Sequence, residues 1–330
     1  MDYRFLGDTG VKVSQLCMGT WSFGGETDEE TAGMMFHRCR DAGINIFDCA
    51  DSYQGGRSEE ILGRLIAACR DEVIITSKFY FPTGDHVNAA GASRRHIRAS
   101  VEGSLRRLDT DTIDIYFIHH FDEQTAIEET LRGLDDLVRQ GKILYPAASN
   151  FAAWQVAKGL GVCAREGWAP FKCVQPMYNL VKRQVEVEIL PMAEAENLGV
   201  LTYSPLGGGL LTGKYGTSRR PVSGRLVENE IYQARYGAER MFDVAERFTE
   251  FAERHGFDPA ALAVAWVGSH PAVTAPIIGA RNVEQLEGSL AAAEIEMTPE
   301  LRAEISALSP APPPATDRNE ERTPLNYGLR

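Results

Sequence analysis

Four side chains able to exchange or steer protons fall within the first 119 residues: Asp48, Tyr53, Lys78 and His119. Three of them end apolar runs that read as buried strands. Ile46-Phe47 leads to Asp48, Val73-Ile74-Ile75-Thr76-Ser77 to Lys78, and Asp114-Ile115-Tyr116-Phe117-Ile118 to His119. Tyr53 sits on the first of the connecting loops. A free tyrosine, with a pKa of about 10, is a poor acid–base group near neutrality. A lysine ammonium beside it would stabilise its phenolate, and an aspartate would hold that lysine charged and oriented. A histidine nearby suits the polarising of an oxygen or the assistance of proton transfer. The plainer alternative is a buried Asp–Lys pair next to a packing tyrosine.

These residues can meet only if successive strands deliver them to one place. The rest of the chain supplies a repeating strand–helix rhythm. After a Gly7/Gly10 hairpin over 3–14, strands are expected at Gln15–Met18, Ile46–Asp48, 73–78, 114–119, Ile143–Ala147, Cys173–Gln175, Val200–Tyr203 and Pro276–Ile278. Helices are expected between them. Asp28, Ser93 and Thr298 stand at N-cap positions, and Gly43 and Gly141 at helix stops. About eight alternations without a composition break imply one α/β unit, a (β/α)₈ TIM barrel over residues 1–308 with an N-terminal hairpin cap and long loops on its C-terminal face. In such a barrel the C-terminal strand ends converge on the face where chemistry is done. Leu206 to Gly237 breaks the rhythm and reads as a functional lid or a disordered insertion. Residues 309–330 form a Pro-rich tail, in which Leu325 and Tyr327 are the apolar anchors available to reach the barrel mouth.

Composition narrows the classes. With 330 residues and 44% hydrophobic content the chain can bury a large core, and a net charge of −12 argues against nucleic acid or an anionic membrane as a general partner. No apolar run has the length of a membrane span, and no signal-peptide core follows Met1. The six cysteines lack C-x-x-C spacing and sit mostly in apolar segments, so a cytoplasmic protein without structural metal is expected.

The order Asp48, Tyr53, Lys78, His119 resembles the catalytic tetrad of the aldo-keto reductases. Further motifs carry the same likeness over about residues 3–295: Arg4-Phe5-Leu6-Gly7 with Val13-Ser14, Asp41-Ala42-Gly43-Ile44-Asn45, Ser149-Asn150-Phe151, Gln175 with Tyr178-Asn179, and Tyr203-Ser204-Pro205-Leu206. Gly209-Leu210-Leu211-Thr212-Gly213-Lys214-Tyr215 is similar to the bacterial branch that also holds potassium-channel β-subunit relatives. The resemblance implies an NADP(H)-dependent interconversion of an aldehyde or ketone with its alcohol, Tyr53 being the proton donor and acceptor. It also implies that Ser149, Asn150 and Gln175 bond the nicotinamide carboxamide and that Tyr203 stacks on the ring, with Ser204 beside it. Leu206, Gly207 and Gly209 would then pass near the pyrophosphate, with Lys214 closing that loop.

The helix after Gly279 offers free N–H groups together with Arg281, an arrangement suited to a phosphate. Here the chain departs from the family, which often has Lys-Ser before this helix. Gly279-Ala280-Arg281-Asn282 followed by Gln285 implies reduced or rearranged phosphate and adenine contacts, while Arg281 and Gln285 still resemble the variant of the bacterial branch, a likeness that implies NADP(H) rather than NAD(H). Trp21, Phe79, His120 and Phe121 are candidates for the substrate-pocket wall, and Tyr80, Phe81 and Phe151 are further aromatics within reach. Ser149-Asn150 would alternatively cap the next helix. Two rival functions remain: a nicotinamide-binding regulatory subunit like the channel β-subunits, and a barrel aldolase or isomerase using Lys78 as a Schiff base. Oligomeric state is not legible in the sequence.

Overall fold

A computed structural model describes residues 1–316. Eight parallel strands close into a barrel in the order β10-β3-β4-β5-β6-β7-β8-β9. They are β3 (Cys17–Gly19), β4 (Ile46–Asp48), β5 (Ile74–Phe79), β6 (Ile113–Ile118), β7 (Ile143–Ser149), β8 (Cys173–Gln175), β9 (Gly199–Thr202) and β10 (Ala275–Ile278). Before them, β1 (Tyr3–Phe5) and β2 (Lys12–Ser14) pair as an antiparallel hairpin. The outer ring comprises α1 (Glu29–Asp41), α2 (Arg57–Ile66), α3 (Arg94–Leu108), α4 (Ile127–Arg139), α5 (Ala153–Glu166) and α6 (Ile189–Ala195). The chain goes on through the short α7 (Arg225–Glu228) and α8 (Glu230–Tyr236) and then α9 (Glu239–Arg254), α10 (Pro259–Gly268), α11 (Val283–Leu290) and α12 (Pro299–Ser306). The expected (β/α)₈ barrel with its hairpin cap is therefore present.

Alternation along each strand sorts side chains between two cores. Cys17, Ile46, Ile115, Phe117, Ala147, Cys173, Leu201 and Ala275 point into the barrel, and Leu6 and Val13 of the hairpin plug the end away from the site. The fit is close: a Cβ on Gly199 would lie 2.4 Å from the Leu6 side chain. Phe47, Ile75, Tyr116, Ile118 and Ala148 point outward and pack under the helices. Both faces of these strands are buried, which is why they read as continuous apolar runs.

Helix starts follow the expected caps. The side chains of Asp28, Ser93 and Thr298 accept from the amides of Thr31, His96 and Leu301. Strand and helix limits shift in places. The Gln15 amide donates to Asp2 and so extends the hairpin, leaving β3 to begin at Cys17. The helix before β5 ends at Ile66, and Arg70 beyond it donates to the Thr112 carbonyl and Asp114 on the barrel's lower rim. Leu206–Gly237 is ordered rather than structureless: Leu210, Leu211, Tyr215, Leu226 and Tyr236 anchor it, and it contains α7 and α8. Among the described residues no helix is long and apolar enough to cross a membrane. Leu325 and Tyr327 of the tail lie outside the described residues.

Candidate active site

The last inward-facing positions of β4, β5, β7 and β8 are Asp48, Lys78, Ser149 and Gln175, and His119 follows β6 directly. The Lys78 ammonium is fully buried and spends its three protons on Asp48 Oδ2 (2.7 Å), the Cys49 carbonyl (2.7 Å) and the Tyr53 hydroxyl (3.2 Å). The other Asp48 oxygen accepts from Thr76 Oγ1 (2.6 Å) and Gln175 Nε2 (2.7 Å). The carboxylate is thereby fixed from two other strands, β5 and β8, and the lysine head is held in place. Phe117 forms the floor, its ring centre 5.9 Å from Lys78 Nζ. The His119 ring stands edge-on to Tyr53 (5.9 Å) and to Phe81 (4.8 Å).

Charge and burial set the proton states. Burial alone would discharge Lys78, but Asp48, with help from Tyr53, raises its pKa above the ordinary lysine value. Burial pushes the Tyr53 phenol up, with Lys78 pulling the other way. Tyr53 is thus a protonated phenol at neutral pH, a donor in waiting beside a permanent cation. Burial, then repulsion from Lys78 and His120, holds His119 well below the usual histidine range, so its imidazole is neutral.

Ser149, Asn150, Gln175 and Tyr203 also meet. Ser149 Oγ donates to the Gln175 carbonyl (2.9 Å), and Asn150 Nδ2 donates to the His119 carbonyl (2.8 Å) and to Ser149 Oγ (3.1 Å). The Tyr203 hydroxyl donates to Asn150 Oδ1 (2.7 Å). Asn150 takes a left-handed backbone (φ 59°) that asparagine tolerates, and α5 begins only after Ala152, so Ser149-Asn150 is not its N-cap. Ser204, also left-handed at φ 57°, turns the chain into Leu206 and the Gly207–Gly209 bend, where all three glycines have positive φ. Lys214 lies beside that bend, and its pKa is lowered by partial burial and by Arg281 and Arg225. Three cations therefore stand together in an acidic chain.

Glu26 answers two of them, 3.4 Å from Arg225 and 3.8 Å from Arg281. Beyond the exposed Gly279, the first turn of α11 is partly self-capped: Asn282 accepts from the Gln285 amide, and Gln285 accepts from the Arg281 amide. Arg225 also lies over Trp21 (4.6 Å) and Tyr232 (5.2 Å), joining the lid to the loop after β3. A dinucleotide's phosphates match this cationic set and its side-chain-free bend.

The expected pocket wall needs correction. Phe79 is fully buried and stacked on Tyr116 (5.2 Å) beneath the helices, because it follows the inward-facing Lys78 and must face outward. Phe81 stands against His119 instead. Trp21 lies under Arg225 at the mouth, His120 is exposed and tilted against Tyr80, and Phe121 packs against Phe151. Thr76, Glu26 and Arg225 join these residues in the structure without having been among the expected ones. Thr76 was findable, since two residues before Lys78 on a strand means the same face. The other two carry no such signal.

A model of the aldo/keto reductase family matches residues 15–310. The chain is similar to an uncharacterized oxidoreductase of Bacillus subtilis, at 36% identity covering 94% of this chain and 97% of that one. It is similar to a probable voltage-gated potassium channel subunit beta of Oryza sativa (35%, covering 96% and 99%) and to the versiconal hemiacetal acetate reductase of Aspergillus parasiticus (32%, covering 91% and 94%). The chain belongs to the aldo/keto reductase family, whose members generally use nicotinamide cofactors.

Proposed function

We propose that this protein is an NADP(H)-dependent reductase that interconverts a small-molecule aldehyde or ketone with its alcohol in the cytoplasm. The observation that carries the reading is the buried Lys78 ammonium bridging Asp48 and the Tyr53 hydroxyl. Bound at the mouth, the nicotinamide cofactor would supply a hydride to the carbonyl carbon. The protein's own task is to manage the oxygen. Tyr53 delivers its proton to that oxygen, and Lys78 stabilises the phenolate left behind. Asp48, braced by Thr76 and Gln175, keeps Lys78 charged in the low-dielectric interior. His119, held neutral by burial and by repulsion from Lys78 and His120, would orient the carbonyl oxygen through its ring. Ser149, Asn150, Gln175 and Tyr203 would hold the nicotinamide end. Leu206, Gly207 and Gly209 would let the pyrophosphate approach, and Lys214, Arg225 and Arg281 would neutralise the phosphates.

The test is NADPH consumption across a panel of aldehydes, ketones and secondary alcohols, with Tyr53→Phe beside the wild type. Turnover should fall at least about 100-fold in the variant, as expected on losing a general acid, while NADPH affinity stays nearly unchanged. A variant retaining most of its rate rejects Tyr53 as the donor. A second reading, a nicotinamide-binding regulatory subunit, is favoured by the 35% identity to the rice channel subunit over nearly both chains. Stoichiometric capture of a membrane partner with no turnover of any carbonyl would select it.

A further inference from the structure

Behind the Lys78–Tyr53 pair, between β5, β6 and the helices α2 and α3, lies a second buried polar cluster that the carbonyl chemistry leaves unused. Ser77 points outward from β5 and donates to Glu59 Oε1, on the first turn of α2. Glu59 is completely buried, and its other oxygen accepts from Arg107 Nε at 2.7 Å. The Arg107 stem lies against Gly56, the last residue of the Tyr53 turn; a Cβ there would sit 2.8 Å from Arg107 Cδ. The turn that carries Tyr53 is thus pinned by α3 on one side and by the neighbour of Lys78 on the other.

Asp51 is the anomaly in this brace. It is 2% exposed, and among the described residues neither carboxyl oxygen has a partner at hydrogen-bond geometry. The Ser52 amide lies beside it, and the buried Ser104 and Tyr116 hydroxyls neighbour each other in the same cluster. The groups that face Asp51 are Glu59 from α2, Arg107 from α3, Lys78 from β5 and Tyr116 from β6. Arg107 is committed to Glu59, and Lys78 to Asp48 and Tyr53. Two carboxyls therefore share one guanidinium, and Glu59 holds the hydrogen bonds. A second carboxylate there would be both desolvated and repelled, so Asp51 remains protonated. Burial, reinforced by Glu59, pushes its pKa up to about 8. It stands two residues before Tyr53, and its amide donates to the Lys78 carbonyl at 3.1 Å.

We propose that Asp51 is a positioning residue: its neutral carboxyl seats the Tyr53 turn against the Glu59–Arg107 pair, and its ionisation unseats that turn and stops proton delivery. The proposal rests on Tyr53 being the proton donor, and Asp51, buried beneath the turn, acts through it. On this view catalysis has an alkaline limit set from behind the site rather than by the phenol, which burial keeps protonated to higher pH.

The experiment compares full-length wild type with Asp51→Asn and Asp51→Ala from pH 6 to 10. It measures kcat with saturating NADPH, the NADPH dissociation constant, and amide hydrogen exchange across residues 48–57. In the wild type kcat should fall about tenfold per pH unit above the Asp51 transition, as for loss of one required proton, with exchange in the turn rising beyond its intrinsic pH dependence. Asp51→Asn, which keeps a neutral side chain of the same shape, should hold turnover at pH 7 and lose both alkaline effects. Asp51→Ala should lower kcat at every pH without changing NADPH affinity. An alkaline limb and exchange profile unchanged in Asp51→Asn overturn the proposal. If no carbonyl is turned over by any form, the reductase reading fails separately, and the exchange profiles still decide whether Asp51 ionisation releases the turn.

Discussion

Replacing Lys78 by methionine tests the site at its centre, because methionine fills most of the same volume and carries no donor. Three hydrogen bonds disappear, leaving Asp48 Oδ2 and the Cys49 carbonyl without partners while Thr76 and Gln175 still serve Asp48 Oδ1. Stranding one member of a buried pair costs about 3–5 kcal/mol. Unfolding entropy of about 2.1 cal/mol/K per residue amounts to ~0.7 kcal/mol/K for a chain of this length, so Tm should drop by about 4–7 °C. Turnover should fall far more than stability does. Without the adjacent cation Tyr53 cannot release its proton, and a loss of about 100-fold or more is expected in reduction, with alcohol oxidation, which needs the phenolate itself, suffering further. Thermal unfolding followed by circular dichroism gives the first number and stopped-flow NADPH oxidation the second. A variant with wild-type turnover refutes the coupling of Lys78 to Tyr53. An unchanged Tm refutes the view that Asp48 depends on Lys78 for its buried charge.

Arg281→Ala should weaken NADPH more than NADH, by about ten- to a hundred-fold for a lost charge-assisted contact. Glu26→Gln, which removes the carboxylate facing Arg281 and Arg225, should tighten NADPH; fluorescence titration reads both, and equal losses for the two cofactors in Arg281→Ala would move that residue to the shared pyrophosphate. His119 gives an acid-side prediction. Its folded pKa is depressed, so below about pH 6.5 the unfolded chain binds a proton that the folded one refuses, and stability declines as pH falls by up to about 1.4 kcal/mol per unit from this group. Urea unfolding at pH 7 and pH 5 should show a smaller loss in His119→Asn than in the wild type, and an equal loss would mean the ring is charged when folded.

The sequence by itself determined the barrel and which polar side chains gather at the ends of its strands. Strand–helix alternation and apolar runs are local signals, and in a parallel barrel they leave little freedom: the residue ending each strand must reach the common face. Asp48, Lys78 and His119 were therefore legible as a set, and Tyr53 with them, because the loop joining β4 to α2 is short. The same strand period could have excluded Phe79 from the pocket, since a neighbour of Lys78 must face the helices. What the sequence could not decide were contacts between segments distant in the chain. Gln175 donating to Asp48 across 127 positions, Glu26 set between Arg225 and Arg281, and Arg107 closing on Glu59 each depend on where loops and helices pack after the barrel has closed. The protonation states belong with these. Asp51, Tyr53 and His119 are ordinary titratable residues in the chain, and only burial beside particular charges makes the first two hold their protons and the third refuse one.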